Sequence, residues 1–391
     1  MNRINIKQAV SWKQTQNDLQ AGIAQTAFAF RGYNQTNLGR TPELLRHPVY
    51  GRYVKKYLSM GSEICRQWTD RPVDLVKRVQ EGIEPELNEY NEAITMIIAV
   101  ENAQMEILRN HFDVNDIDAN MMYGFSLGEL GLLTHLDVMT MQDALSIPLQ
   151  MCNDVVELAN DVQLGILFSR SKSPLPKEDV LRVCAEINLE GNGVIGISTI
   201  LAPNSMLVMG QGDTMQRLKK RTKDITGEKV SLRLNDGKWP PLHTPIVWQK
   251  NISDRAQNLL HTVSLKSGPF DVPVFSLATG DFSYNDSSTR SVLGKWIDQP
   301  QLLWEAVDAT LLRGIRTVVH VGPQPNIIPS TFDRLASNVL HQTGKHVSLR
   351  TLSSLVKQGW LSGILPKRTS LLRAPHVKHV VLEDWLLEQE V

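Results

Sequence analysis

Residues 121–135 read Met121-Met122-Tyr123-Gly124-Phe125-Ser126-Leu127-Gly128-Glu129-Leu130-Gly131-Leu132-Leu133-Thr134-His135. The first four form a short apolar run. From Leu127 the apolar residues Leu127, Leu130, Leu132 and Leu133 recur near helical spacing, with Glu129 in the first turn, where a helix N-terminus favours an acid. The pattern predicts a strand, a corner and a helix, with Ser126 at the corner. Gly124 to Gly128 fits G-x-S-x-G, in which small glycines let the chain turn sharply, hold the serine out and aim helix N-terminal N–H groups at it. A serine that only caps a helix fits the same five residues.

Upstream, Glu92 to His111 carries Ile94, Ile97, Ile98, Met105, Ile107 and Leu108 near helical spacing, with the run Ala93 to Val100 read as buried helix. Thr26-Ala27-Phe28-Ala29-Phe30 is a strand closed by Arg31-Gly32, and residues 1–25 form a polar, helical extension. Downstream, between about Gln163 and Leu234, the order is strand, helix, strand, strand, helix, strand, that of a small ferredoxin-like unit. A further strand spans Thr317 to Val321, and the tail Pro366 to Val391 holds Val380, Val381, Leu382, Trp385, Leu386 and Leu387, which we expect to pack back on the large unit. The expected class is α/β: a hydrolase-like large subdomain with a parallel sheet (26–160 and 236–391) and an inserted ferredoxin-like small subdomain (161–235).

The chain has 391 residues, 42% hydrophobic and 21% charged, which excludes collagen-like, disordered and disulfide-scaffold classes. Forty-one basic residues balance forty-one acidic ones, leaving no electrostatic case for nucleic acid. Cys65, Cys152 and Cys184 show no metal-ligand spacing, so no metal site is expected and a reducing compartment fits. No stretch approaches the ~18 apolar residues of a membrane span, and the N-terminus lacks a secretory apolar region. The expected location is the cytoplasm.

Gly124-Phe125-Ser126-Leu127-Gly128-Glu129 resembles the GHSLGE signature of malonyl-CoA:acyl carrier protein transacylases and polyketide synthase acyltransferase domains. Three further stretches resemble that family in the same order: Ala27 to Gln35 its opening AFVFPGQGSQ, Leu201 to Gly210 its NSPGQVVIAG, and Val319-His320-Val321-Gly322-Pro323 its EVGPG turn. The resemblance covers roughly 26–335. It implies a ping-pong acyl transfer, as in fatty acid and polyketide biosynthesis. Ser126 takes an acyl group from a CoA or phosphopantetheine thioester and yields it to an acyl carrier protein, with no permanently bound cofactor. His243, in Trp239 to Pro245 where the family has AFHSP, is then the general base. The resemblance implies backbone oxyanion donors at Leu127 and Tyr33, and places the segment orienting the histidine near Leu303-Trp304.

The departures from the family concern substrate. Met151, 25 residues beyond the serine, stands where malonyl-transferring members carry an arginine that clamps the substrate carboxylate. Phe125 replaces the histidine before the nucleophile, Leu242 precedes the base, and Asn91 is the residue able to replace a missing pocket glutamine. With Met151, Phe125, Leu242 and Asn91 in the substrate pocket, a free carboxylate would meet a desolvated site, so an uncharged acyl group is expected in place of malonyl. Arg170 is the alternative clamp. The run Arg217 to Lys223 is either a solvated face or a docking surface for an acidic carrier protein or the phosphates of coenzyme A. A thioester hydrolase using the same serine, an inactive carrier-binding scaffold and an α/β-hydrolase lipase are the competing readings.

Overall fold

The computed structural model describes residues 16–389, except 70, 170–173, 226–229, 267–269, 285–288, 344–360, 362–363 and 366. Most of the N-terminal extension and Arg170 therefore lie outside the described residues. The large subdomain is built on a five-stranded sheet of order β7-β2-β1-β8-β9, all parallel. Its strands are β1 (Thr26–Phe30), β2 (Met121–Gly124), β7 (Val274–Phe275), β8 (Thr317–Val321) and β9 (Lys378–Val381). Strand β1 is buried on both faces, as its unbroken apolar sequence demands in the centre of a parallel sheet. Phe28 and Phe30 enter one core with the helices Tyr90–Phe112 and Leu127–His135. Ala27 and Ala29 face a second core that holds helix Leu303–Leu312.

The small subdomain comprises β3 (Val162–Ser169), β4 (Ile195–Ala202), β5 (Ser205–Gln211) and β6 (Val230–Lys238), an antiparallel sheet of order β4-β5-β3-β6. Helices Lys177–Leu189 and Thr214–Lys220 fill the intervals, giving the order strand, helix, strand, strand, helix, strand. Those helices cover one face of the sheet. Leu167, Met206 and Val208 pack there against Val183, Ile187 and Leu218.

The tail supplies edge strand β9, which runs parallel to β8, and the helix Leu382–Glu388. Trp385 packs edge-on against Phe112 at 4.8 Å, and the Glu383 carboxylate accepts from the Arg40 and Gln324 amides at 2.9 and 3.0 Å. Among the described residues no helix is long and apolar enough to cross a membrane.

Candidate active site

Strand β2 ends at Gly124, and helix Leu127–His135 begins three residues later with Ser126 at φ 54° and ψ −118°. A side chain at Gly124 would lie 2.2 Å from the Gly128 carbonyl carbon, and one at Gly128 would lie 2.4 Å from the Arg31 carbonyl. Both glycines are therefore sterically required. A positive φ at a serine is a strained arrangement of the kind that persists where the surroundings over-determine it. Here Gln301 accepts the Ser126 N–H at 3.0 Å and the Trp296 indole donates to the Ser126 carbonyl at 2.7 Å.

His243 lies 117 residues along the chain, also at positive φ (66°), and its Nε2 stands 2.6 Å from Ser126 Oγ. Its Nδ1 is 2.6 Å from the Trp296 carbonyl. A carbonyl only accepts, so Nδ1 carries the proton and Nε2 is left as an acceptor for the serine hydroxyl. The backbone is held too, since His243 N–H donates to the Ile297 carbonyl at 2.7 Å. Burial pushes the imidazole down to about 4, against the carbonyl of Trp296 and the charge of Asp298. The ring is thus neutral at neutral pH and able to take a proton. The sequence placed the orienting segment near Leu303-Trp304, whereas the structure places it at Trp296. A main-chain carbonyl leaves no residue-type signature, which is why the sequence missed it.

The amides of Leu127 and Tyr33 have no hydrogen-bond partner among the described residues, as oxyanion donors require. The loop carrying Tyr33 lies against Ser126: a side chain at Gly32 would sit 3.2 Å from Ser126 Cβ. Arg31, fully buried, braces that loop by donating to the carbonyls of Gly32 and Pro323 and to Asn37 Oδ1 at 2.7, 2.6 and 2.7 Å. Burial lowers its guanidinium to about 10, so it remains charged at neutral pH, and the buried Glu101 carboxyl contributes to holding it so. In the helix that follows Ser126 the buried Glu129 carboxyl, raised to about 7 by burial, accepts from Tyr284 Oη at 2.5 Å.

Ser126 and His243 open into a cavity of about 240 Å³ between the two subdomains. Phe125 and Leu242, two of the expected pocket residues, line it, together with Tyr33, Tyr90 and Trp239 and, from the small subdomain, Leu164, Ile166, Leu207 and Met209. Among the described residues no Lys, Arg, Asp or Glu lines it. Two expected pocket residues do not. Met151 belongs to helix Met141–Ala159 and is buried in the large-subdomain core. Asn91 turns instead to Cys65 Sγ and Arg71 Nη2, each at 3.4 Å. Counting 25 positions from the serine locates Met151 in the sequence but does not fix which face of the helix it occupies.

In the basic run, Arg217 pairs with Glu190 and Asp213, and Arg221 with Glu186 and Asp224. These pairs neutralise much of the positive face that the sequence suggested. Among the described residues no group of His, Cys, Asp or Glu is arranged to hold a metal ion.

No protein-family model matches the chain, and no curated protein matches it by sequence. Solved structures do. FabD from Acinetobacter baumannii superposes with a TM-score of 0.64 at 15% identity, over 80% of this chain and 91% of its own. A malonyl-transacylase solved in complex with its type II polyketide synthase acyl carrier protein gives 0.61 at 17%, over 78% and 92%. The acyltransferase domain from the second module of the salinomycin polyketide synthase gives 0.57 at 16%, over 79% and 65%. The chain has the fold of the malonyl-CoA:acyl carrier protein transacylases and polyketide synthase acyltransferase domains, the family its motifs resemble.

Proposed function

We propose that this chain is a serine acyltransferase that moves an uncharged acyl group from a CoA or carrier thioester to the phosphopantetheine thiol of an acyl carrier protein. The observation that carries the reading is the 2.6 Å contact between Ser126 Oγ and His243 Nε2 inside a cavity that no charged side chain among the described residues lines. As His243 takes the hydroxyl proton, Ser126 Oγ attacks the thioester carbonyl, and the Leu127 and Tyr33 amides receive the developing oxyanion. Collapse of the tetrahedral adduct breaks the C–S bond, and His243 returns the proton to the departing thiolate. The incoming thiol then runs the same steps in reverse and regenerates Ser126. A malonyl carboxylate would be desolvated in this cavity with no cation facing it among the described residues, at a cost of several kcal/mol.

The fold likeness to a transacylase solved with its carrier protein supports the acceptor. The test is hexanoyl-CoA with a holo-acyl carrier protein, read by carrier mass and by free CoA. Hexanoyl-carrier formation that requires Ser126 is expected. CoA release at the same rate with and without carrier, and no acyl-carrier, would make the chain a thioester hydrolase.

A further inference from the structure

The cavity wall opposite the catalytic pair is a piece of β-sheet. Leu164 and Ile166 on β3 stand directly across from Met209 and Leu207 on β5 in antiparallel register. With side chains alternating across a strand, these four share one face while Gly165, Leu167, Met206 and Val208 point to the other. Both strands are interior to the sheet, yet Ile166 and Leu207 are only partly buried, in contrast to Val208, which is fully buried beneath the helices. The cavity is what leaves Ile166 and Leu207 uncovered.

We propose that this four-residue platform, Leu164, Ile166, Leu207 and Met209, sets the length and bulk of the acyl group, and that the natural acyl group is larger than acetyl. The inference rests on the acyltransferase reading above and deepens it. The opposite wall has little freedom to vary. Ser126, His243, Gly32 and Tyr33 are fixed by the proton transfer and by the loop that meets the nucleophile. The platform's apolar side chains carry no such duty, and the strand register holds them in place. The volume agrees: about 240 Å³ exceeds the roughly 150 Å³ apolar cavity that takes up benzene. A medium-length aliphatic or an aromatic acyl group fits, with its chain lying across the sheet face between Phe125 and Trp239.

The test is the ratio of octanoyl to butyryl label on Ser126, read by intact mass after brief exposure to an equimolar mixture of the two acyl-CoAs. Leu207→Ala deepens the cavity and should raise the ratio about tenfold, whereas Leu207→Trp fills it and should lower the ratio about tenfold, the scale on which one or two methylenes are discriminated. Val208→Ala, on the same strand but the other face, should leave the ratio where it is in the natural chain. Opposite shifts at 207 with no shift at 208 support the platform, and they cannot arise from general loss of structure. An unchanged ratio at 207, or the same shift at 207 and 208, overturns it while leaving the acyl-enzyme intact. No label on any chain overturns the acyltransferase reading and this inference with it.

Discussion

His243 and Trp296 are joined so that one residue holds both His243 and Ser126. The Trp296 carbonyl takes the Nδ1 proton at 2.6 Å, and its indole N–H reaches back to the Ser126 carbonyl at 2.7 Å. Trp296→Phe keeps the carbonyl but removes the indole donor. A hydrogen bond of ordinary net worth, about 0.5–1.5 kcal/mol, sets the expected loss at roughly three- to tenfold in the acylation rate, measured by stopped-flow CoA release. An unchanged rate would show that the indole does not hold the elbow.

The pH profile follows from the burial of His243. The base is active when neutral, and burial lowers its titration to about 4. Single-turnover acylation is expected to be flat from pH 8 to about pH 5, then to fall as pH drops through about 4. Circular dichroism checks that the chain stays folded. A limb near the ordinary histidine range would contradict the dry environment assigned to the ring.

Gln301 is fully buried, accepts the Ser126 N–H at 3.0 Å and has its Nε2 3.3 Å from His243 Nδ1. Gln301→Leu leaves that amide unpaired and should cost about 1–3 kcal/mol of stability, measured by denaturant unfolding. Gln301→Glu places a carboxylate beside the imidazole, favours its charged form and should move the acid limb of the acylation profile upward. A limb that stays put would contradict this placement of Gln301.

Arg31 stands where the resembling family has proline, and it replaces a rigid ring with three hydrogen bonds from a buried charge. Arg31→Met should destabilise the chain by about 3 kcal/mol, because the buried Gly32 and Pro323 carbonyls and Asn37 Oδ1 lose their donors together. Thermal unfolding measures this. A change under 1 kcal/mol would show that the loop is held by packing alone.

The fold and the Ser126 elbow were legible in sequence because each left a local signature, and His243 came from the resemblance of Trp239 to Pro245 to the family's AFHSP. Gly124 and Gly128 mark the elbow, the apolar run Thr26 to Phe30 marks the central strand, and alternating strand and helix patterns mark the inserted unit. What was illegible depends on contacts across the chain. The role of Trp296 lies in a carbonyl every residue possesses, and that of Gln301 in a side chain aimed at an amide 175 residues away. Strand β9 is four residues long and none is fully buried, so its apolar pattern says little about sheet pairing. Met151 shows that a position counted from a motif is not a position in a pocket: it is buried in the large-subdomain core. Arg217 and Arg221 look like a basic surface until their acidic partners on neighbouring elements are in view.

The most direct measurement is the intact mass of the protein after brief, separate incubation with hexanoyl-CoA and malonyl-CoA, with Ser126→Ala beside it. The account predicts a single hexanoyl adduct that is absent from the variant, and little or no malonyl adduct. Malonyl labelling as complete as hexanoyl labelling would contradict the charge-free pocket, and a hexanoyl adduct that persists in Ser126→Ala would contradict Ser126 as the nucleophile.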